Sequence, residues 1–456
     1  MSTTKVIVRA HPHPYPSSEY SILVSEGLIR RWKIPTSHPV QLRFGAIRQQ
    51  VRVVPFTSKG EVRIQSSLSY RLGLPQRGVS LRLSYKPAAR TLRIGPLVGV
   101  MIPKITATPG RRFGMITSFC QELTDACKME GAFVYFFTPN DIRSTDHTID
   151  GWTLTPQEYK ASFPVPDVIY NRLPSRKLDS EPGLQQFLKQ IKAEYGTRVF
   201  NEKYLDKTEV FDALRTHKAA SSFLPESHSF KSSTQLRAMC TRYRSVFLKP
   251  ITGSLGKGII RITRTPSGYQ VAMSALSGVS RVNYPSLNAL VTGLSGKLRT
   301  GKYQIQQGLD LIAVNGRPVD FRALVHKNIH GKWTVGSIVA RTAGDNRFVS
   351  NVAQGGTIGT VRQTVAKSNL MVNKQGVAKR LEHAAVHVAQ GIEARIPYHF
   401  GELGIDLAVD RGSGRVRLIE VNSKPAKNDH TLLHEARSIR PSVKLLVQYF
   451  RFLTKL

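Results

Sequence analysis

Two stretches of the chain carry side chains whose types and spacing suit metal and phosphate chemistry. The sharper is GELGIDLAVDRGSGRVRLIEVNSKPA (401–426), two apolar strands joined by a Gly-rich turn, with Asp406 on the first strand and Glu420 and Asn422 on the second. Residues two apart on a strand leave the same face, so Glu420 and Asn422 point together, and hairpin pairing brings Asp406 alongside them. Two carboxylates and one amide form an all-oxygen set suited to Mg²⁺, a hard cation that is completed by water and substrate phosphates. An ordinary exposed acidic hairpin is a poor account of polar residues set inside a run as apolar as LIEVN.

The second stretch, FLKPITGSLGKGIIRI (247–262), is a strand delivering Lys249, a flexible loop with Gly253, Ser254, Gly256, Lys257 and Gly258, and a further strand. Glycines let backbone N–H groups approach phosphate oxygens, and Lys257 adds a point charge. This is not a P-loop: two residues separate Gly253 from Gly256, no Ser or Thr follows Lys257, and a strand stands where that motif needs a helix. Taken alone, the stretch is weak evidence and reads more readily as a surface hairpin.

Around these segments the periodicity predicts three units. Residues 1–95 alternate apolar and polar positions in short runs, as in VQLRFGAIRQQVRVVPF, and read as a small β-barrel or sandwich. Residues 96–200 open with the apolar run LVGVMIP, continue with a helix over 112–130 and a strand GAFVYFFTP, and so form a β-α-β unit. A turn-rich passage with Asp141, Asp146 and Asp150 follows, then a helix over 183–195. From 201 onward the pattern predicts a helix from Asp206, strands at 303–314, 318–327 and 333–342, a helix near 374–395, the hairpin at 403–422 and a closing amphipathic helix over 442–453. No internal repeat is evident.

A chain of 456 residues is too long for one compact core and divides into several domains. Cys120, Cys127 and Cys240 form no CxxC pair and are odd in number, which argues against a disulfide framework or a structural zinc site. The first twenty residues lack the apolar core of a signal peptide, and no stretch reaches the length of a membrane span, so a cytoplasmic protein is expected. The formal net charge of +36 favours anionic partners. Within residues 1–95, 16 Lys/Arg stand against 3 acids (Glu19, Glu26 and Glu61), but they are spread through strands without regular interleaved aromatics, so nucleic-acid binding is not the favoured role.

The order Lys, Gly-rich loop, DFR, Arg, Asn, Gly-Gly, Asp, EVN resembles the ATP-grasp superfamily, which includes glutathione-synthetase-like and ribosomal-protein-modifying ligases, and more closely its YheC/YheD group of endospore coat-associated proteins. The resemblance implies an ATP-grasp fold, two α+β lobes clasping ATP, preceded by a small α/β domain and an N-terminal β-rich domain. It implies ATP and two Mg²⁺ ions, a role Mn²⁺ can fill, and an association with the spore. Lys207 in YLDKTEVF and Lys249 match the two nucleotide-binding lysines, and residues 253–258 match the loop that folds over the phosphates. QIQQGLDL matches the hinge between lobes, with Gln307, Gly308 and Leu309 facing adenine and Asp310 the ribose. Arg322 matches an arginine near the phosphates with Asp320 as its orienting neighbour, while Arg341, Asn351, Gly355 and Gly356 match the junction of γ-phosphate and acceptor. Asp406, Glu420 and Asn422 match the metal ligands, with Lys424 close behind. The segment after Asn422 reads SKPA, where many relatives have a small residue and then Pro-Gly.

The activity so implied is a carboxylate–amine (or other nucleophile) ligase that forms an acylphosphate and releases ADP, with Arg322, Arg341 and Asn351 serving the transfer. Its acceptor is unassigned, and an acidic polymer or peptide is among the candidates. Two alternatives come from other classes: a non-catalytic ATP-binding protein of the spore envelope, and a polyanion binder acting through the basic N-terminal domain.

Overall fold

The computed structural model describes the chain except residues 1–2, 13–18, 59, 144–147, 156, 252–256, 276, 349, 351–354 and 428–437, and the side chain of Thr300. The alternating N-terminal stretch closes on itself as a seven-stranded barrel, in the order Thr3–His11, Glu61–Gln65, Tyr20–Ser25, Ile47–Phe56, Val40–Phe44, Thr91–Gly95 and Val79–Lys86, which pairs back to the first. Every second residue turns inward, so Val6, Val8, Ile22, Val24, Leu42, Phe44, Leu81 and Leu83 fill the interior.

Contrary to the sequence reading, the barrel is built from a repeat. Strand Thr3–His11, strand Tyr20–Ser25, helix Glu26–Trp32 and strand Val40–Phe44 correspond in order to Ile47–Phe56, Glu61–Gln65, helix Ser66–Arg71 and Val79–Lys86: Thr3–His11 pairs parallel with Glu61–Gln65 and antiparallel with Val79–Lys86, as Ile47–Phe56 does with Tyr20–Ser25 and Val40–Phe44. Ile22 and Val24 match Val62 and Ile64, Ile34-Pro35 matches Leu74-Pro75, and each helix is followed by a left-handed residue, Lys33 (φ 53°) or Gly73 (φ 68°). The likeness lies in apolar spacing and turn geometry with few identical residues, and is therefore faint in the sequence.

The second unit is a six-stranded sheet in the order Tyr159–Pro164, Thr148–Thr153, Phe133–Phe137, Leu97–Met101, Val168–Asn171, Arg198–Phe200. The last four strands are mutually parallel. Leu97–Met101 and Phe133–Phe137 are buried throughout, as expected of strands covered on both faces. One face (Leu97, Tyr135, Phe137) packs on the barrel. The other (Val98, Val134, Phe136) packs on helix Thr117–Glu130 and on the distant helix Pro441–Thr454, whose Val443, Leu446 and Phe450 complete this core. The closing helix thus bridges two units, since it also packs on strands Arg317–Lys327 and Trp333–Thr342 of the unit it follows in sequence. Several barrel cations serve this junction: Arg93 donates to Asp167 (2.7 Å) and to the Thr454 carbonyl (2.6 Å), and Arg82 to the Glu130 carbonyl (2.9 Å).

The remaining chain forms two antiparallel sheets. One runs Ser227–Ser229, Tyr303–Gln307, Ser245–Pro250, Ile260–Thr265, Gly268–Ser274, Val279–Tyr284, backed by helices Ser233–Arg242 and Leu287–Thr300. The other runs Thr357–Thr360, Trp333–Thr342, Arg317–Lys327, Glu402–Val409, Val416–Asn422, backed by helix Val377–Arg395. The strand expected over 303–314 is divided. Tyr303–Gln307 belongs to the first sheet and the short Ala313–Val314 to the second. Between them the chain crosses over, with Gly308 N–H bonded to the Ser245 carbonyl (2.8 Å) and Ile312 N–H to the Val409 carbonyl (3.0 Å).

Candidate active site

A cavity of about 290 Å³ opens between these two sheets. Its floor is a row of charges set by strand register. Arg341 lies opposite Asp320, Arg322 opposite Asp406, and Asp406 opposite Glu420. Side chains directly across antiparallel strands lie within reach of each other, nearer than the i, i+2 neighbours on one strand. The expected Asp320–Arg322 pairing is accordingly replaced by cross-strand pairs. Arg341 grips Asp320 with two bonds (2.6 and 2.8 Å) and reaches Asp406 at 3.1 Å, while Arg322 grips Asp406 through Nε and through NH2 (2.9 Å). Ser350 Oγ donates to Asp320.

Burial sets the chemistry of these groups. Desolvation opposes the charge on Arg341, yet Asp320 and Asp406 more than offset it and raise its pKa above the ordinary value. Burial likewise opposes ionisation of Asp406, and Arg322 and Arg341 together hold its carboxyl below the usual range. From the opposite sheet, the Lys249 ammonium enters the cavity and donates to Gln306 Oε1 (2.5 Å), which in turn donates through Nε2 to Ser227 Oγ (2.8 Å). Desolvation lowers the Lys249 pKa to about 8, against the pull of Glu420.

Phe247, Ile259, Leu309, Leu311 and Ile419 form the apolar part of the lining, a slot beside these charges. Of the predicted hinge residues, Gln307 and Leu309 line the cavity; Asp310 is exposed and accepts from Arg411 Nε (3.0 Å). Lys424 also lines it, donating to Asp179 Oδ1 (2.8 Å), with burial lowering its pKa to about 8. The SKPA segment is firmly held: Asn201 Nδ2 bonds the Ser423 carbonyl (2.7 Å), Ser423 Oγ donates to the Lys203 carbonyl (2.8 Å), and Arg172 donates to the Pro425 carbonyl (2.6 Å). Lys207, capped into its helix by Asp206, reaches Glu420 Oε1 at 3.1 Å from outside the first cavity.

Other predicted residues stand apart. Lys257 is exposed, Gly258 (φ 75°) bonds the Ser274 carbonyl, and neither lines the cavity. Gly355 (φ 85°) and Gly356 also lie off its wall. Gly253, Ser254, Gly256 and Asn351 fall outside the described residues. Sequence reasoning missed Gln306, Ser350 and the apolar slot; only their closeness to Gln307, Asn351 and Lys249 could have pointed to them.

Among the described residues no three His, Cys, Asp or Glu side chains form a metal cluster. The oxygen donors nevertheless fit Mg²⁺: Glu420 and Asn422 share a strand face and a cavity wall, and Asp406 stands opposite Glu420. Glu420 is held by Lys207, and Asp406 by two guanidiniums, so a cation here competes with those ion pairs.

A family profile described as YheC/D like ATP-grasp matches residues 196–453. The chain is 30% identical over 382 residues to the endospore coat-associated protein YheD of Bacillus subtilis, covering 83% of each. It is 21% identical over 271 residues to YheC of the same organism, covering 58% of this chain and 71% of that one. Among solved structures, the ATP-grasp ligase PsnB complexed with a minimal precursor aligns with TM-score 0.43 and 13% identity, over 79% of this chain and 99% of that one. D-alanyl-alanine synthetase A of Vibrio cholerae aligns with TM-score 0.44 and 9% identity, over 79% and 99%. On the profile and the match to YheD, the chain belongs to the YheC/YheD-like ATP-grasp family.

Proposed function

We propose that the cavity binds Mg·ATP and that the protein is an ADP-forming ligase acting through an acylphosphate. The observation that carries this reading is the charge row facing Lys249 across a cleft that also carries an apolar slot. The slot of Phe247, Leu309 and Leu311 takes the adenine, and Lys249, Arg322 and Arg341 take phosphate oxygens. Glu420, Asn422 and Asp406 are the residues that hold Mg²⁺, which when bound neutralises charge on the phosphates. In the transfer, a carboxylate oxygen of the acceptor attacks the γ-phosphorus and the bond to the β,γ-bridging oxygen breaks, releasing ADP. An amine or other nucleophile then attacks the acyl carbon, loses its proton, and phosphate leaves. Arg341 and Arg322 stabilise the charge that spreads over the transferring group; such positioning and electrostatic help is nearly all that phosphoryl transfer asks of a protein.

Thermal shift with Mg·ATP tests the site. A ligand bound only to the native state stabilises by about 2.7 kcal/mol at 100 times Kd. The wild type should show a metal-dependent rise that is lost in the double variant Glu420→Gln, Asn422→Ala. No rise in a well-folded wild type sinks the reading.

A second reading, an ATP-binding protein of the spore coat without turnover, is favoured by the name of the relative YheD. Binding of Mg·ATP with no ADP release under any acceptor would select it. The polyanion reading is weakened, since Arg43, Arg82 and Arg93 of the barrel are engaged with Asp167 and Glu130 at the junction with the second unit.

A further inference from the structure

Helix Val377–Arg395 buries a stripe of Leu381, Ala385, Val388 and Ile392 against the second sheet. On its other side His383 and His387 stand one helical turn apart, the first exposed and the second half-buried. Their ring centroids are 4.0 Å apart with the planes tilted by 38°. Phe223 meets the His383 ring edge-on, at 6.3 Å and 72°. His387 Nδ1 lies 2.9 Å from the His383 carbonyl oxygen. A carbonyl oxygen only accepts, so Nδ1 carries the proton and the lone pair of the neutral ring sits on Nε2. A bond of this kind through one ring nitrogen is what orients histidines that ligate metals through the other.

We propose that His383 and His387 together bind a divalent transition-metal cation, Cu²⁺ most tightly and Ni²⁺ and Zn²⁺ less so. Metal–imidazole bonds of about 2.0–2.1 Å let two nitrogens share an ion only within about 4.2 Å of each other. Two rings whose centroids are 4.0 Å apart are already at that spacing. The helix is 19 residues long and anchored along its buried stripe, so neither backbone position has to be ordered on binding. Imidazole suits copper, nickel and zinc, whereas Mg²⁺ takes oxygen, so this pair and the carboxylates of the candidate active site select different ions. Among the described residues no further His, Cys, Asp or Glu joins the pair, and water completes the coordination of what is an open surface site. Lys379 and Arg380, one turn earlier, oppose the charge of a cation, but both are exposed and salt screens them. Neither histidine lines the cavity between the two sheets, so the inference stands apart from the nucleotide reading.

A third imidazole on the same helix supplies the control. His217 packs at Gly391, one turn beyond His387, where an added Cβ would lie 3.2 Å from its Nδ1. Untagged full-length protein is titrated calorimetrically with CuCl₂, NiCl₂ and ZnCl₂ in excess MgCl₂, which occupies oxygen sites, and the Cu²⁺ form is examined by electron paramagnetic resonance. Saturable binding is expected, tightest for Cu²⁺, with hyperfine splitting from two imidazole nitrogens at one equivalent. His383→Gln and His387→Gln should each weaken it by roughly tenfold or more, the least that even an outer-shell change costs a metal site. His217→Gln should stay within about twofold of wild type. Both ligands lie at the surface, so the variants should melt as wild type does without metal; if one does not, the nitrogen splitting in wild type still decides. Absence of that splitting overturns the assignment, as does binding that survives both single variants, which places the ion on other histidines. A loss confined to His217→Gln moves the ion to that residue and overturns it equally.

Discussion

Asp320 and Arg341 face each other across adjacent strands and share a two-pronged ion pair, and Arg341 also reaches Asp406, the partner of Arg322. Four charges on three strands therefore form one unit, in which removal of any member leaves another unmatched in a buried setting.

Asp406→Asn should destabilise the fold by about 3 kcal/mol, the scale on which breaking one partner of a buried pair acts. The paired change Arg322→Met with Asp406→Leu should recover most of that loss, because both charges then leave together. Urea unfolding at constant m-value reads both; a single variant within about 0.5 kcal/mol of wild type would show the network to be solvated.

Lys249 gives a pH dependence with a definite sign. Its amine in the free site loses its proton near pH 8, whereas bound phosphates favour the charged form, so nucleotide affinity should fall as pH rises through about 8. A roughly tenfold loss between pH 7.5 and 9 is expected in calorimetric titrations of ATP. Lysine in the unfolded chain keeps its proton to higher pH, so the same residue makes stability rise with pH between about 8 and 10.4. Lys249→Met should lessen both slopes, leaving the share of affinity that comes from Lys424, whose pKa also lies at about 8. Unchanged slopes in that variant would exclude Lys249 as their origin.

Asn201 holds the end of strand Val416–Asn422 from the neighbouring unit. It is buried in the left-handed region (φ 53°), its Nδ2 donates to the Ser423 carbonyl, and its Oδ1 accepts from Gly401 N–H (3.1 Å) and Glu402 N–H (3.2 Å). Asn201→Ala should cost about 3 kcal/mol, combining unmatched buried groups with roughly 1 kcal/mol of backbone strain. Asn201→Gly, free of that strain, should cost about 1 kcal/mol less. Thermal melts of the pair separate the two contributions; equal melting points would mean that strain is absent.

Local pattern told most about the fold where it was long and regular. LIEVN inside an alternating hairpin located Glu402–Val409 and Val416–Asn422, the periodicity over 374–395 located Val377–Arg395, and the closing helix fell within a residue or so of its place. The hairpin Thr148–Thr153 with Tyr159–Pro164 was hidden, because its strands carry Asp150, Gly151, Lys160 and Ser162 among few apolar residues and read as turns. Within the site, residue types were legible but partners were not. Asp320 and Arg322 are neighbours in sequence, yet register hands each a partner from another strand, and Lys424 finds Asp179 across more than 200 residues. The apolar slot was invisible for a related reason: Phe247 and Ile419 are ordinary strand residues, and Leu311 an ordinary linker residue, until two sheets face each other.

The helix Pro441–Thr454 covers a sheet whose own strands end at Phe200. During synthesis at about 5–20 residues per second, the α/β unit leaves the ribosome with the face of Val98, Val134 and Phe136 covered by helix Thr117–Glu130 alone, and the second helix of that layer follows by roughly 15–60 s. The two sheets of the candidate active site are both made in that interval. Maturation of the middle of the molecule thus waits on the C-terminal half, and a nascent chain halted before residue 441 presents a half-covered apolar face to chaperones, whatever the state of its barrel.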